Sequence, residues 1–166
     1  MAQIIYEHDS MNSLSGPTPH SHDTKERGPL FICTHNAIRS PMAANIYTHY
    51  TNGRPVASAG VYTKYIHPLV FTALRESGMT IYLEEGEPLD GLDLSAYSIL
   101  VALSQTAHSV LQKRNAQHVF WQLDDIDPLP TGEGNHEAAM VPFRRLRSDL
   151  ITRIQSQFLE HNSIEG

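Results

Sequence analysis

The sequence predicts an α/β fold in which a four-stranded parallel sheet carries helices on both faces. Three observations indicate it. Short apolar runs alternate with segments of helical spacing between Leu30 and Leu159. The run Ser98–Leu103 (SILVAL) is apolar after its first residue, as expected for a central strand that is buried on both faces. A strand, a helix and a second strand follow one another within residues 30–59, which predicts a right-handed parallel βαβ unit.

The first half of the chain alternates between strand and helix patterns. We expect strands at Leu30–Cys33 and Pro55–Ala59 and helices at Pro41–Tyr50 and Pro68–Ser77, because Pro opens each helical pattern and Asn-Gly or Gly follows it. The connection before the second helix contains Tyr62 and Tyr65, which either line a cleft at the strand ends or pack against that helix.

The second half begins with an acidic stretch of Gly and Pro residues, 79–93, which we expect to be irregular. The buried strand Ser98–Leu103 follows, and Ser104 is expected to cap the next helix. The last helix has one apolar stripe at steps of three or four residues. The elements predicted after the central strand are the helix Gln105–Lys113, the strand His118–Leu123 and the helix Glu137–Leu159.

Composition bounds the class of protein. A length of 166 residues suits one domain with a sizeable core, and a net charge of −6 argues against a nucleic-acid surface. No apolar run approaches a spanning helix, and the N-terminus has no hydrophobic signal core, so we expect neither membrane insertion nor export by that route. The single cysteine excludes an internal disulfide and suits a reducing compartment, so we expect a cytoplasmic protein.

The domain organisation follows from the same patterns. Residues 1–28 are polar and rich in Ser, His, Pro and Gly, and we expect an extension outside the core. Residues 29–160 form the single α/β domain, and 161–166 form a C-terminal tail. The histidines of the extension are expected to be solvated rather than bound to a metal.

The chemistry is concentrated after the first strand. Cys33 ends that strand, Arg39 follows six residues later, and Ser40-Pro41 opens a helix. We expect Ser40 to be the N-cap and Pro41 the first helical residue. A tight loop at a helix N-terminus brings N–H groups and the positive end of the helix dipole to one small volume. Such a pocket suits a tetrahedral oxyanion and favours a thiolate over a thiol.

These residue types predict nucleophilic attack by Cys33 on phosphorus or on a related oxyanion centre. The planar guanidinium of Arg39 has donors for two phosphate oxygens at once. The other expected substrate-binding residues are those of the loop and the helix start: Thr34, His35, Asn36, Ala37, Ile38 and Ser40. The alternative is that Cys33 is an inert buried thiol at a strand end.

The segment from Cys33 to Ala43 (CTHNAIRSPMA) resembles the signature loop of the low-molecular-weight protein tyrosine phosphatases and of the arsenate reductases that share their fold. The resemblance extends to Ser58–Gly60 and to Asp127-Pro128, and covers roughly residues 29–158. It implies a low-molecular-weight phosphotyrosine phosphatase-like fold. It also implies these roles: Cys33 is the nucleophile, Arg39 binds the phosphoryl group, Asn36 shapes the loop, Ser40 stabilises the thiolate and Asp127 is the general acid.

The choice of acid has an alternative. Three aspartates follow the last predicted strand, at the sheet edge where Cys33 lies, and a general acid there can protonate the leaving oxygen. Asp127 precedes a proline, as the catalytic aspartate does in the resembled family, and it is the predicted acid. Asp125 better matches the distance from Trp121 in the related arsenate reductases.

We therefore expect a phosphatase that acts on a phosphorylated protein, most of all on phosphotyrosine, or on a small phosphomonoester, with no metal or other cofactor. The sequence departs from the phosphatase pattern at His35, which we expect to face solvent, at Ala37, and at Leu129-Pro130, where typical members have aromatic residues. Arsenate reduction is a second possibility, and with one cysteine it needs an external thiol or redoxin. A non-catalytic phosphate-binding module is the third.

Overall fold

The computed structural model describes residues 27–83, 85–126 and 135–160. Within these ranges the chain alternates strands with helices and adds short 3-10 turns at Leu89–Gly91 and Leu94–Ala96 and a π turn at Gln155–Leu159. The strands are β1 (Pro29–Cys33), β2 (Ala57–Gly60), β3 (Glu87–Pro88), β4 (Ile99–Ala102) and β5 (Val119–Phe120). The helices are α1 (Arg39–Tyr50), α2 (Pro68–Glu76), α3 (Gln105–Lys113) and α4 (His136–Ile154).

The strands form one parallel sheet in the order β3-β2-β1-β4-β5. The predicted α/β class with a parallel sheet is confirmed, but the count of four strands is wrong, because the described residues contain five. The missing strand, β3, is two exposed residues long and pairs only with Ala59 and Gly60. A strand this short, in an acidic segment with a proline, has neither the apolar run nor the alternation that predicts a strand.

Side chains of β1 alternate between two cores, so the central strand is buried on both faces. Phe31 and Cys33 face α1, α2 and α4, whereas Leu30 and Ile32 face α3 and the 3-10 turns. Helices therefore cover both faces, as predicted. The register pairs Cys33 with Gly60 and Ile32 with Ala102, which places the ends of β1, β2 and β4 at one edge of the sheet.

One helix start differs from the sequence expectation, and the other helix starts have side-chain caps. Helix α1 begins at Arg39, and the preceding Ile38 provides no side-chain cap, so the prediction of Ser40 as N-cap is wrong. Helix α4 begins at His136, where the side chain of Asn135 accepts from the backbone N–H of Ala138. The Ser104 cap of α3 is confirmed, since its Oγ accepts from the backbone N–H of Ala107 at 3.1 Å.

An ion-pair cluster joins α2 to α4. Arg144 and Arg147 both contact the carboxylate of Glu76, and Arg147 also donates to the carbonyl of Ala73. Hydrogen bonds from the two guanidinium groups lower the pKa of Glu76 to about 2. The cluster therefore fixes α4 against the C-terminal end of α2.

The predicted extension, residues 1–28, lies outside the described residues apart from Arg27 and Gly28, and so does the predicted tail, 161–166. The division into extension, domain and tail thus stays a prediction. Among the helices of the described ranges, none has the length and apolar character needed to cross a membrane.

Candidate active site

The loop between β1 and α1 turns its carbonyl groups away from the sheet edge. Four of them accept N–H groups of segment 61–67 at 2.8–3.0 Å, namely the carbonyls of Cys33, Thr34, His35 and Ala37. Across the described ranges, the backbone N–H groups of Thr34, His35, Ala37 and Ile38 have no backbone or side-chain acceptor. Amides left over in a tight loop at a helix N-terminus form a ready binding site for an anion.

Cys33 lies at the start of this loop, and the residue is 2 % exposed. The backbone N–H of Asn36 donates to Sγ at 3.2 Å, and Ser40 Oγ lies 3.0 Å from it. Ser40 Oγ also donates to Asn36 Oδ1 at 2.6 Å. One hydroxyl proton serves one acceptor well, and Ser40 Oγ has three within reach: Asn36 Oδ1, the Cys33 sulfur and, at 3.3 Å, the carbonyl of Ala59.

Asn36 gives the loop its shape. Its φ of +49° lies in the left-handed region, which asparagine tolerates better than most residues. The side chain is buried, and its amide packs directly on Gly86, where an added Cβ would lie 1.6 Å from Asn36 Nδ2. A second glycine, Gly60, has no Cβ, and the backbones of Asn36 and Tyr62 can therefore lie close to its Cα. The acidic segment 79–93, which was predicted to be irregular, thus packs against the loop through Gly86.

Arg39 opens α1 and points toward the end of β4. Its Nη1 donates to the carbonyl of Leu103 at 3.3 Å and to Asp125 Oδ1 at 2.9 Å. The arginine side chain is 16 % exposed and the aspartate 82 %, so the ion pair sits at the mouth of the site. Of the candidate acids, Asp125 therefore contacts the predicted phosphate-binding arginine. Asp127 lies outside the described residues.

A small cavity of about 90 Å³ marks the site, and Cys33, His35, Ala37, Ile38, Arg39 and Ile126 line it. His35 is half-buried here and not solvent-facing as expected. Burial, and then the charges of Lys64 and Arg39, lower the pKa of His35, which favours a neutral imidazole at the rim. Among the described residues, no cluster of three or more His, Cys, Asp or Glu side chains is arranged to hold a metal ion.

The two tyrosines left open by the sequence are not packed under α2. Tyr62 is 60 % exposed and Tyr65 86 %. The ring of Tyr62 lies near the His35 ring, with centroids 5.9 Å apart. Tyr62 is therefore a neighbour of the cavity, in agreement with the cleft-wall alternative.

Sequence reasoning missed one anchor of the loop. Thr34 Oγ1 donates to Ser104 Oγ at 3.0 Å, while the same oxygen caps α3. The bond ties the residue after the nucleophile to the end of β4. The available signal was the position of Ser104 directly after the central strand, at the edge where the Cys33 loop also ends.

A buried cysteine within a loop of free N–H groups, with an arginine at its end, defines a class of enzymes that handle tetrahedral oxyanions through a thiolate. The model of the family described as low molecular weight phosphotyrosine protein phosphatase matches residues 29–137. The chain belongs to this family, as the resemblance of its loop implied.

Relatives on this fold have more than one activity. A glutaredoxin arsenate reductase of Synechocystis sp. is 24 % identical over 76 % of this chain and 92 % of its own length. An arsenate reductase of Halalkalibacterium halodurans is 30 % identical over 76 % of this chain and 91 % of its own. The structure of the YwlE arginine phosphatase from Geobacillus stearothermophilus aligns with a TM-score of 0.62 at 23 % identity, covering 84 % of this chain and 96 % of that one. The fold and family therefore include phosphatases and arsenate reductases.

Proposed function

We propose that this protein is a cysteine-dependent phosphatase that hydrolyses phosphomonoesters, with protein phosphotyrosine as the first expected substrate. The observation that carries it is the surroundings of the Cys33 sulfur: the backbone N–H of Asn36 donates to it, the Ser40 hydroxyl lies 3.0 Å away, and the Arg39 guanidinium lines the same cavity. A single cysteine completes phosphate hydrolysis with water as the only co-reactant. It also suits a reducing compartment, and we propose that the protein acts in the cytoplasm.

In the first step, the Cys33 thiolate attacks phosphorus, an S–P bond forms and the P–O bond to the leaving group breaks. Arg39 and the loop N–H groups bind the non-bridging oxygens, and a carboxylic acid gives its proton to the leaving oxygen. In the second step, the same carboxylate takes a proton from water, which attacks phosphorus. The S–P bond then breaks, and the products are inorganic phosphate and the free thiolate.

The acid is either the residue that the sequence predicts, Asp127, or the one that contacts the site in the described residues, Asp125. We favour Asp125, because its carboxylate already lies 2.9 Å from Arg39 Nη1, where the bound phosphoryl group would be. Protonation matters most for a poor leaving group, so the loss of the acid should slow phenyl phosphate far more than para-nitrophenyl phosphate.

The first experiment compares the wild type with Cys33→Ser on para-nitrophenyl phosphate. We expect turnover to disappear in Cys33→Ser while vanadate still binds, because the loop amides and Arg39 are intact. Thr48→Ser, which changes a hydroxyl residue on α1 away from the loop, is the control. Turnover by Cys33→Ser at the wild-type rate would eliminate the proposed chemistry.

The second experiment identifies the acid. We expect Asp125→Asn to lower kcat on phenyl phosphate by about 100-fold or more and to affect the activated ester much less. Asp124→Asn, an exposed neighbour of the same chemistry, is the matched control. The same selective loss in Asp127→Asn, with Asp125→Asn near wild type, would return the role to Asp127.

Arsenate reduction is the second candidate, because relatives at 24–30 % identity have that activity in their names and the cavity is of oxyanion size. Cys33 would form an S–As bond with loss of water. One external thiol would then attack the sulfur and release arsenite, and a second would regenerate Cys33, so that two thiols become one disulfide while As(V) becomes As(III). Arsenate consumption with added glutathione and glutaredoxin, without phosphate release, would favour this candidate. If the wild type shows neither phosphate release nor arsenate reduction, the result would favour a phosphate-binding module.

A further inference from the structure

We infer that a groove beside the catalytic cavity binds the polypeptide that flanks the phosphorylated residue, and that it selects an apolar neighbour of that residue. The groove has a volume of about 470 Å³. Asp124–Ile126 form one wall, and five residues of α4 form the other: Val141, Pro142, Arg145, Leu146 and Asp149. This inference rests on the proposed phosphatase function and specifies its substrate.

The groove adjoins the catalytic cavity at two points. Ile126 lines both. Asp125 lines the groove and reaches across to Arg39, which lines the cavity, at 2.9 Å. A phosphoryl group on the Cys33 loop therefore has its leaving oxygen directed toward Asp125, and the rest of the leaving group continues into the groove.

The floor of the groove is apolar. Ile126, Pro142 and Leu146 are at least half-buried, whereas Val141 is 43 % exposed and is one of the few large apolar side chains exposed in the described residues. An apolar surface open to water next to a reaction centre is a typical ligand-contacting surface. A hydrophobic side chain of the substrate would cover it.

Charges lie at the rim and largely compensate one another. Asp149 is paired with Arg153 at 2.7 Å and Asp125 with Arg39. Asp124 and Arg145 add an acid and a base on opposite walls. Neither sign dominates, so the groove does not favour a strongly charged segment. An apolar centre with a polar rim is the arrangement that protein–protein contacts use to bind a peptide with an apolar anchor.

The test compares two phosphotyrosine peptides that differ only in the residues flanking the phosphotyrosine, leucine in one and serine in the other. We expect the wild type to have a KM at least about fivefold lower for the leucine peptide, since apolar burial is worth this much or more in such sites. Val141→Asn should abolish the preference by raising the KM of the leucine peptide. Turnover of para-nitrophenyl phosphate, which is too short to reach α4, should stay unchanged.

Thr152→Asn is the matched control, because it places the same residue on the same helix about 16 Å further along and outside the groove. Thermal denaturation of both variants checks that they fold. Val141 is exposed, so we expect its substitution to leave the fold intact. Equal KM values for the two peptides in the wild type would refute the proposed role of the groove. A preference that persists in Val141→Asn would refute it as well. Absence of all para-nitrophenyl phosphate turnover in the wild type would instead overturn the phosphatase function itself.

Discussion

Asn36 is held from three sides, and each contact belongs to a different part of the chain. Its N–H faces the Cys33 sulfur, its Oδ1 accepts from Ser40, and its amide nitrogen packs on Gly86. The left-handed backbone at this residue makes the loop sensitive to any of these contacts. Gly86, which does not line the cavity, therefore controls the position of a residue that contacts the Cys33 sulfur.

We expect Gly86→Ala to reduce both stability and turnover, because its Cβ would overlap Asn36 Nδ2 and lie 2.7 Å from the carbonyl of Ser58. Overpacking of this kind typically costs about 1–3 kcal/mol. The melting temperature and kcat on para-nitrophenyl phosphate measure it. Gly91→Ala, in the same segment but with nothing within 4 Å of the added Cβ, should change neither. Equal behaviour of the two variants would contradict the packing argument.

The placement of Cys33 and Arg39 at one cavity was predictable, because their spacing after an apolar strand is a local property of the chain. The contact between Asp125 and Arg39 was not predictable in the same way, because it depends on a chain path after the last strand that the residue types there do not fix. The assignment of the acid to Asp127 stays a prediction. The Thr34–Ser104 bond is of the same kind, because it joins residues that the register of two strands brings together.

Among the elements, α2 starts with an unusual cap. His67 precedes the helix, and its Nδ1 accepts from the backbone N–H of Leu69 at 3.1 Å. The backbone N–H of His67 donates to the carbonyl of Ala37 in the Cys33 loop, so the capping residue also holds the loop. Burial lowers the pKa of His67. The folded state thus prefers the neutral imidazole, whose lone pair the cap requires.

A depressed pKa in the folded state means that the unfolded chain binds more protons as the pH falls below about 6.5. The stabilisation by His67 is therefore present above that pH and is lost on acidification. We expect the wild type to lose more thermal stability between about pH 7.5 and pH 5.5 than His67→Asn, which keeps a capping side chain without a titrating group. His49→Asn, an exposed change on α1, should keep the wild-type slope. Parallel slopes in all three proteins would refute this role of the cap.

The elements that were predicted correctly are those with a long apolar pattern. The start of α1 was misplaced because Ser-Pro is a strong local signal, whereas the tertiary contacts of Ser40 with Cys33 and Asn36 determine its conformation. The β3 strand was missed because two residues define no period, and only its pairing with β2 identifies it.

At the scale of the whole molecule, the C-terminal π turn closes an aromatic cluster beneath the sheet. Phe158 packs edge-on against Tyr47 and Phe31, with ring centroids at 5.1 and 6.1 Å, and lies 6.4 Å from Trp121. The π turn is thereby packed against the central strand. The predicted apolar stripe of the last helix is the source of this contact, and its continuation to Phe158 is confirmed.

We expect Phe158→Ala to lower the free energy of unfolding by about 2–3 kcal/mol, below the range for a fully buried Phe because this ring is half-buried. Trp121 is the only tryptophan, so a red shift of the protein's emission would report directly on the cluster. Turnover at low temperature should persist, since the cluster does not line the catalytic cavity. Gln157→Ala, exposed and adjacent, is the control, and a variant as stable as that control would contradict the expectation.

The Arg39–Asp125 pair has a consequence for product release. A carboxylate tethered beside the anion site is a permanent competitor for the guanidinium, present at a high effective concentration. Because the pair is exposed, it contributes only about 0.2–1 kcal/mol, which lowers the affinity for a bound oxyanion by no more than about fivefold. Under the proposed phosphatase function, Arg39 would return from the phosphoryl group to Asp125 after each turnover, and this exchange would favour the release of inorganic phosphate.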